Sequence, residues 1–175
     1  MASNNLTIVI SSLLLLQLAF TAFADNEYAP AAEKKVDVVV EGMVYCQSCK
    51  NFGTWSLSDA EPIPSAKVSV ICKNQRDQVS YYKAFETDGN GYFFAELEGF
   101  KMSHYLLEHP LQSCLVKLVS SPLENCSLLS NLNYGMYGAP LRYEKKKLMG
   151  RNYEAVIYAA GPLAFRPADC PTIHY

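Results

Sequence analysis

Two cysteines separated by two residues pose the first chemical question in this chain: Tyr45 to Lys50 reads "YCQSCK". A Cys-x-x-Cys pair can serve as a redox dithiol, as half of a zinc site, or as two separate anchors of a disulfide framework. A redox dithiol needs a depressed thiol pKa, usually supplied by a helix N-terminus. Here the pair follows a strand-like run and precedes "KNFGTWSLSDAEPIP", which has no helical periodicity. Zinc would need a second Cys-x-x-Cys or a nearby His pair, and the H-x4-H pair His104 and His109 lies far downstream. The remaining reading makes Cys46 and Cys49 staples to two different, distant parts of the chain.

The residues that precede the pair set the compartment. Residues 1–24, "MASNNLTIVISSLLLLQLAFTAFA", carry no charged side chain and end in the small-residue signal Ala22-Phe23-Ala24. This reads as a secretory signal peptide cleaved near Asp25. Thr7, Ser11, Ser12 and Gln17 interrupt its apolar core, which argues against a membrane anchor, and no later run approaches the roughly 20 apolar residues of a spanning helix. All six cysteines, Cys46, Cys49, Cys72, Cys114, Cys126 and Cys170, lie beyond that point. An even count in an oxidising compartment predicts three disulfides, with the connectivity left open. The formal net charge of −2 lacks the basic footprint of a nucleic-acid binder. Residues 25–35, "DNEYAPAAEKK", form a polar leader, and residues 36–175 suffice for a single domain with its own core.

Periodicity in that domain is of the two-residue kind. Segment 36–45 places Val36, Val38, Val40 and Val44 on one face, and segment 65–73 points Ala66, Val68, Val70 and Cys72 inward with Lys67, Ser69 and Lys73 outward. "QVSYYKAFET" and "YFFAELE" flank Asp88-Gly89-Asn90-Gly91, which predicts a hairpin. Further strands are predicted at 113–119, 141–147 and 152–160, and "GFKMSHYLLEHPL" has room for a helical turn before Pro110. Seven short strands predict an all-β sandwich or barrel.

Few constellations resemble a catalytic or metal site. "ETDGNG" matches the start of a calcium loop through Glu86, Asp88, Asn90 and Gly91, but Leu97 falls where the bidentate Glu belongs, so a turn is the better reading. No nucleophile elbow, metalloprotease helix or cofactor motif is present, and nothing selects a carboxylate pair for glycoside hydrolysis. An extracellular enzyme is the lesser hypothesis. Two features suit binding. Arg142, Lys145, Lys146, Lys147 and Arg151 gather enough positive charge to hold an acidic polymer, although lysines on an edge strand also serve to block sheet-to-sheet association. Trp55, Tyr134 and Tyr137 fall in predicted loops, where aromatic faces can stack on sugar rings or cap the end of a barrel. Asn125-Cys126-Ser127 is an N-glycosylation sequon whose middle residue is one of the cysteines.

"VEGMVYCQSCK", "PSAKVSVICKN", "TDGNGYF" and "GPLAFRPADCP", in that order, resemble the plant olive-pollen-allergen and extensin family, over roughly residues 36–172. Within it the chain is most similar to the cysteine-containing PAC domain of proline-rich and non-classical arabinogalactan proteins. The pollen-allergen signature has an acidic residue after the first Cys and Arg after the second; Gln47 and Lys50 stand there instead, which favours the wall-protein branch. The Pro-rich or His-rich region that often precedes the PAC domain is replaced by the short polar leader. The resemblance implies a secreted, non-enzymatic cell-wall protein with no cofactor and with a compact antiparallel seven-stranded β-barrel or sandwich. It further implies three disulfides, Cys46 with Cys126, Cys49 with Cys170 and Cys72 with Cys114, and a lectin-like affinity for pectic polysaccharide, galactan or galacturonan. A secreted signalling or defence ligand, or a pollen-tube factor of the allergen branch acting on a receptor, is the alternative.

Overall fold

A computed structural model describes residues 35–101, 109–150 and 153–170, without the side chains of residues 35 and 36. The predicted signal peptide, nearly all of the polar leader, the side chain of Val36, His104 and Arg151 lie outside the described residues. So does most of the segment in which a helical turn was expected before Pro110.

The described elements are β1 (Lys35–Cys46), β2 (Glu61–Pro62), β3 (Lys67–Lys73), β4 (Val79–Glu86), β5 (Tyr92–Glu96), α1 (Pro110–Ser113), β6 (Cys114–Ser120), β7 (Leu128–Leu129), β8 (Ala139–Pro140), β9 (Arg142–Met149) and β10 (Tyr153–Arg166). The seven longer strands answer to the seven predicted segments; β2, β7 and β8 are two-residue bridges that carry no periodicity to read. α1 is a single turn that begins at Pro110, with the His109 side chain accepting from Leu111 N–H. Proline at the first helical position has no N–H to leave unpaired.

Two sheets form. In one, β1 and β10 lie side by side at the centre, β5 and β2 run along the far edge of β1, and β9 and β7 along the far edge of β10. The other has the order β4-β3-β6-β8. Their facing surfaces enclose one core, built from Val38, Val40, Val44, Phe93, Leu163 and Phe165 on one side and Val68, Val70, Cys72, Val116 and Leu118 on the other. Full burial of a Val, Leu or Phe side chain contributes roughly 1.5–3 kcal/mol, so these positions carry much of the stability. Cys72 lies directly opposite Cys114 across β3 and β6, and the disulfide between them is buried in that core.

Three local expectations are corrected. The 88–91 turn does not make a hairpin: β4 pairs with β3 and β5 with β1, so the turn carries the chain from one sheet to the other. Asp88 Oδ1 accepts from the N–H groups of Asn90 and Tyr92 at 2.8 and 2.9 Å, which closes the turn locally whatever the flanking strands pair with. Gly91, at φ 73°, lets the backbone pass close to Val44, whose N–H donates to its carbonyl at 2.8 Å. Second, β1 and β10 pair in parallel, Val38 opposite Val156 and Val40 opposite Tyr158, while every other described pairing is antiparallel. These two strands stand at opposite ends of the domain sequence, so no tight turn fixes their relative direction. Third, inward and outward faces alternate less cleanly than predicted. Ser69 is buried, and Val39 is buried on the other face of β1, in a small cluster with Ala155 and Ile157. A strand flanked on both edges can be apolar on both faces.

Candidate functional site

The end of the first sheet, where β1 and β10 stop, collects the loop aromatics. Cys46 is joined to Cys126 and Cys49 to Cys170, so the Cys-x-x-Cys pair fastens this end to two remote segments. With both thiols consumed, "YCQSCK" is neither a dithiol nor a metal half-site.

Between the two cysteines, Gln47 is buried and organises the loop that follows. Its N–H donates to Phe165 O at 2.9 Å, which extends the β1–β10 pairing by one more bond. Its side-chain amide lies 3.0, 3.1 and 3.0 Å from the carbonyl oxygens of Asn51, Thr54 and Ser56. A carboxamide NH2 is a pure donor, suited to a concave loop that turns its carbonyls inward. Asn51 adds a hydrogen bond from Nδ2 to Ser58 O at 2.6 Å, and Thr54 Oγ1 donates back to Asn51 O at 2.8 Å. This tied loop holds out two aromatic side chains, Phe52 and Trp55, which are 54% and 64% exposed.

Each of these rings meets a partner from a distant segment. Trp55 stands edge-on to Tyr134, ring centroids 5.9 Å apart. The guanidinium of Arg166, the last residue of β10, lies 4.6 Å from the centre of the Phe52 ring. The Tyr134 loop is locked in turn: Asn133 Nδ2 donates to Pro162 O at 2.7 Å, and Asn133 and Tyr134 take φ of 48° and 64°. Non-glycine residues in this left-handed region are strained by about 1–3 kcal/mol, and such strain clusters at functional sites. Among the groups so assembled lies an open cavity of about 340 Å³, lined in part by Gln47, Phe52, Trp55, Ser130, Asn131 and Arg166.

Of the aromatics selected from sequence, Trp55 and Tyr134 are thus brought together. Tyr137 is exposed in the same loop, and neither it nor Tyr134 lines the cavity, which Trp55 does. Phe52, Arg166 and Gln47 were missed. "NFGTW" and "AFRP" hold no periodic signal, and only the pairing of the two central strands places Arg166 beside the loop after Cys46.

The basic cluster lies elsewhere, on β9, whose only ladder partner among the described strands is β10. Lys146 pairs with Glu41 at 3.4 Å and Lys147 with Glu154 at 2.6 Å; the latter hydrogen bond raises the Lys147 pKa. Arg142 Nη1 donates to Gly161 O at 2.9 Å. Glu41 also accepts from the Tyr92 hydroxyl at 2.7 Å, and burial, then that bond, raises the Tyr92 pKa. Lys145 sits at φ 57°, where the β9–β10 register shifts between Ile157 and Tyr158. An edge strand that carries paired lysines and a bulge is built to resist a further strand. Asn125 is exposed on a short turn at Glu124–Cys126. Among the described residues no three His, Cys, Asp or Glu side chains gather as metal ligands would.

No family model matches the chain. It is 35% identical over 141 residues to the non-classical arabinogalactan protein 30 of Arabidopsis thaliana, which covers 78% of this chain and 55% of that protein. It is also 30% identical over 135 residues to proline-rich protein 3 of the same plant, covering 72% of this chain and 36% of that one. The chain is a relative of the plant arabinogalactan and proline-rich proteins. This arabinogalactan-protein relative spans about half the length of the first and about a third of the second. Its fold resembles the crystal structure of the major plantain pollen allergen Pla l 1, with a TM-score of 0.52 and 25% identity over 78% of this chain and 98% of that one. These likenesses agree with the family read from its motifs.

Proposed function

We propose that this chain is a secreted, non-enzymatic wall protein that binds pectic polysaccharide at the Phe52–Trp55–Tyr134 end of its β domain. The observation that carries the reading is the aromatic pair: Trp55 and Tyr134 come from loops far apart in sequence, remain 64% and 54% exposed, and are held by the buried Gln47 amide on one side and by left-handed backbone on the other. Exposed, preorganised aromatic rings suit the apolar faces of sugars, because the entropy of ordering them is already lost before binding. The lysines of β9 are the weaker candidate, because two of the three are already paired with carboxylates.

A glycan array probed with the oxidised, exported protein tests this. Binding to pectic fragments that is lost in Trp55→Ala supports the reading. Absence of binding to every pectic fragment on the array overturns it, and the allergen-like fold then favours a ligand for a surface receptor, to be sought by receptor pull-down. N-terminal sequencing of the exported protein should start near Asp25.

A further inference from the structure

The aromatic cavity contains a cation that the sequence did not bring into view. The Arg166 guanidinium lies over the Phe52 ring, 4.6 Å from its centre, and its one side-chain hydrogen bond among the described residues is a long contact from Nη1 to Pro167 O at 3.5 Å. Among the described residues no carboxylate pairs with it. Contact with an aromatic ring uses none of a guanidinium's N–H donors, so apart from the long Nη1 contact they remain available in the fork geometry that fits a carboxylate bidentately. Ser130 and Asn131 line the same cavity, and its volume of about 340 Å³ is at the small end for a ligand site.

We infer that this cavity is a subsite for a uronic acid residue, with the sugar carboxylate on Arg166 and the ring against Trp55. The inference rests on the proposed glycan-binding reading and narrows it: the protein selects acidic over neutral sugars, and it reads the acid at the aromatic end, not along the lysines of β9. A positive charge held half-buried beside apolar rings attracts an anion more strongly than an exposed lysine does, because less solvent screens it. The Phe52 ring fixes the fork, so little side-chain freedom is lost when a carboxylate arrives.

The test is calorimetric titration of the oxidised, exported protein with a galacturonic acid trisaccharide and with the neutral galactose trisaccharide made by reducing its carboxyls. Wild type is expected to bind the acidic sugar about tenfold tighter or more, the scale of a hydrogen bond to a charged group. Arg166→Gln should abolish that preference. Arg166→Lys, which keeps the charge without the fork, should retain only part of it. Equal binding of the two sugars by wild type, or an undiminished preference in Arg166→Gln, overturns the subsite but leaves the glycan-binding reading intact. Failure of wild type to bind either sugar overturns the subsite, and the glycan array alone decides the broader reading. The wild-type comparison can overturn the subsite without any variant, and a circular dichroism spectrum matching wild type shows that each Arg166 variant is folded.

Discussion

The ring of Trp55 meets the ring of Tyr134 at 5.9 Å with an interplanar angle of 60°, an edge-on contact between two exposed side chains from loops on different halves of the domain sequence. Edge-on aromatic pairs contribute about 0.5–1.5 kcal/mol beyond their buried area, so each ring helps to hold the other in place. Trp55→Ala and Tyr134→Ala should therefore weaken glycan binding by less in combination than the sum of the two single losses, while the unfolding free energy falls by no more than about 1.5 kcal/mol in either. Titration of wild type, both single variants and the double variant checks this. Strict additivity would mean that the rings act independently and do not form one site.

Gln47 supplies the second prediction. Gln47→Glu conserves shape but replaces a donor with an ionised acceptor that faces three carbonyl oxygens in a buried position. Leaving a buried charged group against acceptors costs on the order of 3 kcal/mol or more. The native state disfavours the ionised form, so the introduced carboxyl has a folded pKa raised above its unfolded value of about 4.3. The penalty is then complete above the folded pKa and eases as pH falls towards 4, where the protonated acid can donate. Urea unfolding at pH 7 and pH 4 measures it; equal stability of variant and wild type at pH 7 would show that the amide does not hold the loop.

Which parts of this molecule were legible in the sequence follows from the range of the interaction that creates each part. The strands were, because alternation such as Ala66, Val68, Val70 and Cys72 is local, and all four are fully buried. The 88–91 turn was placed correctly and its consequence was not: Asp88 and Gly91 encode a reversal, but nothing local encodes which strands pair after it. Trp55 and Tyr134 could be selected as loop aromatics, whereas Arg166 could not. It belongs to the site only through the parallel register that sets Cys46 opposite Phe165, a non-local pairing.

The lysines of β9 give a third prediction with two distinct readouts. Lys146 and Lys147 are paired with Glu41 and Glu154, and Lys145 marks a bulge on an edge strand. The triple variant Lys145→Ala, Lys146→Ala, Lys147→Ala should keep its affinity for acidic pectic fragments within about twofold at physiological salt, since exposed ion pairs contribute little. It should instead self-associate more readily, because charge on an edge strand opposes pairing with another chain. Titration and sedimentation on one preparation distinguish the two roles. A tenfold loss of affinity with unchanged monodispersity would make the strand a binding surface after all.

Alkaline pH tests the buried tyrosines. The pKa values of Tyr81, Tyr92 and Tyr158 are all raised from the ordinary value of 10.0, each mainly by burial, and that of Tyr92 also by its hydrogen bond to Glu41. A group whose folded pKa exceeds its unfolded pKa contributes stability that is fully present below the unfolded value and is lost as pH rises through the folded one. Stability should therefore be insensitive to these three groups at neutral pH and decline above about pH 10. Lys83 and Lys147, raised by their bonds to Glu98 and Glu154, act with the same sign in the same range, so the tyrosines must be observed directly. Phenolate absorbance followed with pH should show a late group of tyrosines, Tyr81, Tyr92 and Tyr158 among them, that appears only with unfolding. Tyr92→Phe should remove one phenolate from that late group and flatten the fall in stability, whereas a single titration of all tyrosines near pH 10 would show that Tyr92 is not held against Glu41 in solution.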